Sequence, residues 1–237
     1  MTFGPRFYRG AALCSLVTAL TTLGLIFLPD LYQPVEGFDG RMSRVHDPAY
    51  RLRSWVYFVH PFLVFAATLG VGLRILARHC AAAVIGLLGF ALWAFTEAGQ
   101  QTVTLFAFDT WRVAYPAADE AMRAVIRTNT AMYDGLWNAM YFLLLIGIAI
   151  GSLSFGLALI RGAGLTRVVG IYFLANFALT FNYIAGELQW GSLPEPLSKW
   201  TYAAIGPLGR ALIGVWLWSA AHENEPLPDR LEGPAAA

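Results

Sequence analysis

Six segments of the chain are apolar over about 20 residues each, which is the length of helix that crosses the hydrocarbon core of a bilayer. Charged residues make up 13% of the chain, whereas soluble domains carry roughly 25%. Inside a bilayer the backbone must satisfy its own hydrogen bonds, so segments of this length span as helices. We therefore predict an all-α fold, a polytopic membrane bundle of six transmembrane helices. The predicted segments are 11–28, 55–77, 80–108, 135–160, 168–186 and 200–221.

The connections between the segments predict the orientation of the bundle. The N-terminal residues and the short turns 74–79 and 161–167 are basic and contain no acid, whereas the longer connections mix bases with acids. Short basic connections are typical of the cytoplasmic side of a membrane. We therefore expect both termini in the cytoplasm and the longer loops on the outer side.

The chain reads as one domain with a tail. Residues 1–222 are predicted to form a single transmembrane domain, and the polar, proline-rich residues 223–237 are predicted to be disordered. The loop before the fourth segment predicts a helix of its own, with Pro116 at its first position and Asp119 and Glu120 in its first turn. We expect this helix to continue into the fourth segment or to bend along the membrane surface.

A polar stripe interrupts the third apolar segment. Its residues follow the spacing i, i+3, i+4, i+7, which is one side of a helix. A carboxylate and two amides in hydrocarbon cost several kcal/mol unless other groups meet them. The stripe predicts a polar interior and consists of Glu97, Gln100, Gln101 and Thr104.

Other segments carry matching stripes. In the fourth and fifth segments polar side chains recur at intervals of three or four residues, and in the second at intervals of three and eight, so each of these sets shares one helix face. The second segment contributes Tyr57, His60 and Thr68, the fourth Thr130, Asp134, Asn138 and Tyr141, the fifth Asn176, Thr180, Tyr183 and Glu187, and the sixth Arg210.

The depth of these residues predicts where they meet. At 1.5 Å of rise per residue, Glu97, Asn176 and Arg210 all lie near the middle of the bilayer, and most of the other polar residues lie on the outer side of that level. The inner halves are blander, and there Gly147 and Gly151 predict close helix packing. We therefore predict a polar pocket in the outer half that is sealed toward the cytoplasm and opens outward or sideways into the outer leaflet, with Glu97 and Arg210 as a charge pair.

A purely structural interpretation remains open for the same residues. Polar side chains in a bundle can hydrogen-bond one helix to another, and tyrosines often only pack. Asp134 and Glu187 can be solvated helix ends, and Glu97 with Arg210 can be a buried structural pair.

The polar set is suited to proton transfer on a lipophilic molecule. His60 precedes Pro61 and can act as an acid or base near neutral pH. The candidate catalytic residues are Glu97, His60 and Asp134, and the chemistry they suggest is isomerisation, cyclisation or hydration. The candidate substrate-binding residues are Gln100, Gln101, Thr104, Asn138, Tyr141, Asn176, Thr180, Tyr183, Glu187 and Arg210.

Several other chemistries lack their sequence patterns. His60 and His79 fall at opposite ends of one helix, which disfavours haem, and no metal-ligand spacing or phosphate-binding loop is present. The net charge of +1 gives no basic field for nucleic acid. We expect no cofactor and no metal, and a membrane lipid or lipophilic small molecule as the partner, and protein partners stay unknown.

Three function classes remain. The chain can be a cofactor-independent membrane enzyme, a non-catalytic lipid-binding or accessory subunit, or a transporter of a small solute, including a proton-coupled one. A continuous polar path through the inner half would favour transport, whereas a blind pocket would favour an enzyme or a binder.

Two stretches resemble a known group of proteins. Residues 133–141 read YDGLWNAMY, and residues 207–218 read PLGRALIGVWLW. They resemble small bacterial six-helix membrane proteins that are known as a domain of unknown function, over segments two to six. The resemblance implies an all-α fold in a bacterial inner membrane, and it carries no activity and no functional residue to this chain.

Overall fold

A computed structural model of the protein describes residues 3–223, and within this range the regular structure is helical throughout. Two of the helices in this range are short. Six helices are long and apolar enough to cross a membrane, so the predicted all-α six-helix class is confirmed and the chain is a multi-pass membrane protein. The helices are α1 (Pro5–Phe27), α2 (Gly37–Ser43), α3 (Pro48–Ile75), α4 (Cys80–Val103), α5 (Asp109–Ala114), α6 (Glu120–Leu159), α7 (Gly164–Glu187) and α8 (Glu195–Glu223). Of the predicted tail, residues 224–237 lie outside the described range.

The six long helices form a closed ring. Each contacts two main neighbours, in the order α4, α6, α7, α8, α1, α3 and back to α4. One end of the ring carries the short turns 76–79 and 160–163, and we call it the turn side. The opposite end carries the connections 28–47, 104–119 and 188–194, and we call it the loop side. The ring encloses a space to which every spanning helix contributes side chains.

Glycines bring the backbones of α4 and α6 into direct contact. A Cβ atom on Gly89 would lie 2.6 Å from the backbone nitrogen of Gly151, and one on Gly147 would lie 2.7 Å from the backbone nitrogen of Trp93. Contacts this short leave no room for a side chain, so only glycine permits the crossing. The sequence spacing of Gly147 and Gly151 predicted this kind of packing.

The turn side is closed by side chains from several helices. Arg74 on α3 donates a hydrogen bond to the backbone carbonyl of Trp216 on α8, and its guanidinium carbon lies 4.1 Å from the centre of the Trp216 ring. The indole Nε1 of Trp216 donates to Thr166 Oγ1 on α7 at 3.0 Å. Leu217, Ala220 and Ala221 are fully buried beside it. This end of the ring is therefore a packed core.

Helix α6 reaches well beyond the membrane on the loop side. Its 40 residues extend about 60 Å at 1.5 Å per residue, whereas the hydrocarbon core of a bilayer is about 30 Å thick. Asp119 is its N-cap, and its carboxylate accepts the backbone N–H of Met122 at 2.8 Å. The predicted start at Pro116 is wrong by one turn, because Pro116 belongs to a separate 3-10 turn and Ala118 is extended. The predicted continuation into the fourth segment is confirmed.

A small outer layer, which we call the cap, covers the loop side. It consists of α2, α5 and the outer end of α6, and a second apolar cluster holds it together. Both guanidinium NH2 groups of Arg41 on α2 donate to the Asp134 carboxylate on α6, which raises the pKa of Arg41. Tyr115 also donates its hydroxyl to Asp39 on α2 at 2.8 Å. The buried residues of the cluster are Met42, Phe108, Tyr115 and Ile126.

Asp47 fixes the connection between α1 and α3. Its carboxylate accepts the backbone N–H groups of Gln33 at 2.8 Å, Ala49 at 2.8 Å and Tyr50 at 3.2 Å. These donors, led by Gln33, hold the pKa of Asp47 below its ordinary value because they stabilise the carboxylate. Asp47 therefore caps α3 and also anchors the preceding loop.

The glycine contact predicts a selective loss of stability. We expect Gly147→Ala to destabilise the protein by about 1–3 kcal/mol, since the added methyl group must separate α4 from α6. Gly135→Ala is the matched control, because it lies on the same helix and its added methyl group would meet nothing within 4 Å. Thermal unfolding in detergent measures both. Equal midpoints for the two variants would contradict the close approach.

The Asp47 contacts predict a difference in acid sensitivity. Because the folded-state pKa is lowered, the stabilisation is present above the unfolded pKa, about 4, and is lost as pH falls through the folded value. We expect the wild-type unfolding midpoint to fall more steeply below pH ~4 than that of Asp47→Asn, which can still cap the helix. If the unfolding midpoints of the two proteins fall in parallel, the charge of Asp47 does not contribute to stability.

Candidate functional site: a cavity inside the helix ring

A cavity of about 280 Å³ lies inside the ring, in its middle and loop-side parts. Most of the surface area of the cavity is apolar, and polar side chains from facing helices supply the rest. The polar and charged residues that line it are Arg53, Tyr57, His60 and Thr68 on α3, Glu97 on α4, Tyr141 on α6, Tyr172, Asn176, Thr180 and Tyr183 on α7, and Tyr202 and Arg210 on α8.

Three aromatic rings close the cavity toward the turn side. The ring of Phe90 lies 5.5 Å from that of Phe155 and 6.0 Å from that of Phe173, and the last two are 5.4 Å apart, all between centroids. Phe90 and Phe173 line the cavity, whereas Phe155 is fully buried behind them. The cavity therefore ends at a packed aromatic layer.

Glu97 is the acid of this cavity. Its residue is 4% exposed, and its carboxyl group makes no hydrogen bond and no ion pair within 4 Å to any residue in the range 3–223. Arg210 and Arg53 are the cations near enough to act on it electrostatically. A buried carboxyl group without a protein partner is costly, and such a group beside a cavity is typical of a functional site.

The predicted charge pair between Glu97 and Arg210 is wrong in its direct form. Within residues 3–223 no ion pair with an N···O distance of 4 Å or less joins the two side chains, although both line the same cavity. The guanidinium carbon of Arg210 lies 5.8 Å from the centre of the Trp93 ring, and its Nε atom is buried without a hydrogen-bond partner. The two groups face a shared space and do not touch across a helix contact.

His60 is buried and fixed at one ring nitrogen. The residue is 2% exposed, and its Nδ1 lies 2.7 Å from Thr21 Oγ1 on α1. The imidazole stands perpendicular to Trp93, with 6.2 Å between ring centres. Its Nε2 has no hydrogen-bond partner among the described residues. The Thr21 contact thus orients a ring whose second nitrogen is available at the cavity.

Several cavity residues also join helices. Asn176 donates from Nδ2 to Ser152 Oγ on α6 at 2.8 Å, and Tyr183 donates its hydroxyl to the carbonyl of Ser198 on α8 at 3.3 Å. Thr180 donates to the backbone carbonyl of Asn176 at 2.7 Å. The bonds of Asn176 and Tyr183 join α7 to α6 and to α8, in keeping with the structural interpretation of such residues, whereas the Thr180 bond lies within α7.

A second cavity of about 230 Å³ lies between the first and the cap. Gln101, Thr104 and Asp134 line it, so these three candidates are separated from Glu97 and His60. Thr104 stands where α4 passes into the π-helical turn Thr104–Phe108, and its hydroxyl lies 2.7 Å from that of Tyr133. Asp134 is 40% exposed at its side chain and pairs with Arg41.

Two residues belong to both cavities. Arg53 and Tyr57 line the inner cavity and the outer one. The guanidinium carbon of Arg53 lies 5.1 Å from the centre of the Tyr57 ring, one helical turn away. Arg53 and Tyr57 therefore form the wall between the two spaces.

Three candidates lie on neither cavity. Gln100 donates from Nε2 to the backbone carbonyl of Trp137 at 2.9 Å, which joins α4 to α6. Asn138 and Glu187 are exposed on the outside of the bundle. The stripe from Glu97 to Thr104 divides because its four positions span about 100° of the helix surface. One edge of that arc faces α6 and the rest faces the two cavities.

Sequence reasoning missed some lining residues. Arg53 lay in a predicted loop, because the second segment was predicted to begin at residue 55 and α3 begins at Pro48. The available signal was spacing, since Arg53, Tyr57 and His60 follow i, i+4, i+7. Tyr172 stands one turn before Asn176 in the same way.

Gly209 gives the ring of Tyr172 its position in the cavity wall. A Cβ atom on Gly209 would lie 1.7 Å from Cε2 of Tyr172. The aromatic ring therefore lies directly on the backbone of α8.

Comparison with protein-family models, with curated proteins and with solved structures finds no match to this chain. Within residues 3–223, no group of three or more His, Cys, Asp or Glu side chains is arranged to hold a metal ion.

The Tyr172 contact predicts that Gly209→Ala lowers stability by about 1–3 kcal/mol, because the ring must move to admit the methyl group. Gly206→Ala is the control on the same helix, since its nearest neighbour would be at an ordinary 3.4 Å. Thermal unfolding in detergent measures both variants. A Gly209→Ala protein as stable as Gly206→Ala would show that the ring is not seated on the α8 backbone.

Proposed function

We propose that this protein binds a small lipophilic or amphipathic molecule inside the helix ring and catalyses proton transfer on it. The observation that carries the proposal is Glu97, a buried carboxyl group without a protein partner that lines a mainly apolar cavity of about 280 Å³. Pockets for small molecules run from roughly 300 Å³ upward, are mostly apolar and contain a few placed polar groups. The cavity is just below the lower end of that range, which suits a small ligand.

The proposed chemistry needs an acid and a base on one ligand. In an isomerisation, the Glu97 carboxyl group donates a proton to one carbon of a C=C double bond, which leaves a cation on the other carbon of that bond. His60 Nε2 then removes a proton from the carbon on the far side of the cation. The double bond moves by one position, and a return of the proton from His60 to Glu97 completes the cycle, so no cofactor is consumed. Cyclisation or hydration would use the same acid to start and the same base to finish.

Other cavity groups have supporting parts in this scheme. Arg210 sets the electrostatic environment of Glu97. The π faces of Trp93 and Phe90 can stabilise a cationic intermediate. Tyr141, Asn176, Thr180 and Tyr183 line the cavity and orient the ligand. Asp134, which faces the outer cavity, has no part in this step.

A non-catalytic binding or accessory subunit is the second candidate. Asn176, Thr180 and Tyr183 already hydrogen-bond to protein groups, as structural residues do. Transport is less well supported, because the rings of Phe90, Phe155 and Phe173 close the turn side and interrupt any polar path.

We also propose a location and an orientation. The chain lies in a bacterial inner membrane with both termini in the cytoplasm, and membrane lipid is its source of ligand. The short basic connections on the turn side support this orientation. The resemblance to small bacterial six-helix membrane proteins supports the bacterial location and adds no activity.

A lipid comparison tests binding and catalysis together. Wild-type protein, Glu97→Gln and Glu187→Gln are purified from the same membranes, and the molecules that copurify are identified by mass spectrometry. Each protein is then incubated with total lipid extract, and product formation is followed. Glu187 is the matched control, because it is an exposed glutamate outside both cavities.

We expect wild type and Glu187→Gln to retain a common small lipophilic molecule and to convert it. Glu97→Gln should retain it without conversion, with a rate reduced by about a hundredfold or more, the scale of general acid catalysis. Binding without conversion in all three proteins would favour the non-catalytic subunit. Absence of any retained molecule would contradict the proposal.

A further inference from the structure

We infer that the ligand of the inner cavity is an amphipathic anion whose carboxylate or phosphate head group is bound by Arg53 and Arg210. This inference rests on the proposed function, since it assumes that the cavity holds a ligand. It adds the chemical class, which follows from the charges around the cavity.

The charged groups lining the inner cavity do not balance. Two guanidinium groups, Arg53 and Arg210, face one carboxyl group, Glu97, and the titratable imidazole of His60. Even with Glu97 ionised and His60 neutral, one positive charge remains in excess. An uncompensated charge at membrane depth is costly, and one anionic head group on the ligand would neutralise it.

Arg53 has no carboxylate partner, unlike three other arginines of the loop side. Arg41 pairs with Asp134, Arg112 with Asp109 and Arg127 with Glu120. Within residues 3–223 Arg53 has no such pair, and only its Nε donates, to the backbone carbonyl of Leu25 at 3.1 Å. Its two NH2 groups are left at the junction of the two cavities. Paired NH2 groups of this kind bind carboxylate or phosphate in a fork.

Arg210 is the second free cation of the site. Its guanidinium group makes no hydrogen bond to the described part of the chain, and its Nε is buried. The groups on which its charge acts are Glu97, His60, Tyr172 and Tyr202, all of which line the cavity. Its charge is therefore directed at the cavity contents.

The remaining lining fits an apolar tail. Aliphatic and aromatic side chains, among them Leu145, Ile148, Phe173 and Ile213, supply the apolar part of the wall. Arg53 lies near the loop-side end of α3, and Arg210 lies near the middle of α8. A head group near Arg53 and Arg210 would direct a single chain toward the aromatic layer at Phe90.

A series of single-chain probes tests the inference. The protein is reconstituted in nanodiscs of zwitterionic lipid, and binding of dodecanoate, dodecyl phosphate, dodecanol and dodecyltrimethylammonium is measured calorimetrically against empty nanodiscs. The carboxylate and phosphate arms distinguish the two possible head groups. We expect at least one anion to bind about tenfold or more tightly than dodecanol, which is the scale of a hydrogen bond to a charged group.

Arginine variants identify the groups responsible. Arg53→Gln and Arg210→Gln should each reduce the preference for the anion over dodecanol by about tenfold, and Arg53→Lys should retain part of it. Arg51→Gln is the control, because it is an exposed arginine two residues from Arg53 that lines neither cavity.

The outcomes separate this inference from the proposed function. Specific binding of none of the probes would contradict the ligand-binding proposal itself. Binding of dodecanol or the trimethylammonium probe as tightly as both anions would overturn the anion inference and leave the proposed function standing. The four probes measured on the wild-type protein test the anion preference even where a glutamine variant fails to fold. An anion preference unchanged in well-folded Arg53→Gln and Arg210→Gln would also overturn the assignment.

Discussion

The fold depends on one electrostatic constraint: Glu97, Arg210 and Arg53 belong to membrane-spanning helices and cannot face lipid at acceptable cost. A closed ring of six helices meets this constraint, because it provides an interior that every spanning helix reaches. The charged groups line a common cavity without forming a direct ion pair between Glu97 and Arg210. The cost of burying these charges is therefore offset partly by attraction across the cavity between Glu97 and the two arginines. In our proposal, a ligand bound in the cavity offsets the rest.

The two ends of the ring differ in packing, and this difference gives the cavity its form. Toward the turn side, glycine contacts between α4 and α6, the Phe90–Phe155–Phe173 layer and the contacts of Trp216 leave a solid core. Toward the loop side the helices surround two cavities and carry the cap. A space that is closed at one end and polar at the other suits the retention of an amphipathic molecule better than its passage.

The sequence predicted the helical class and the spans well, because runs of apolar residues have few other stable states in a membrane. It predicted less of the site. Helical spacing assigned Glu97 and Gln100 to one stripe, but the arc is wide, and Gln100 is used to join α4 to α6. Arg53 was missed because α3 extends seven residues beyond the apolar run. Whether Glu97 touches Arg210 depends on packing between distant helices, which spacing along the chain does not specify.

An experimental density map of the protein purified in its native membrane lipid would show most directly whether the charged groups face a ligand inside the ring. We expect an elongated density inside the ring, in contact with Glu97 and with the guanidinium groups of Arg53 and Arg210, ending at the Phe90 layer. A map in which Glu97 and Arg210 point toward the surrounding lipid, or in which packed side chains fill the interior of the ring, would contradict it.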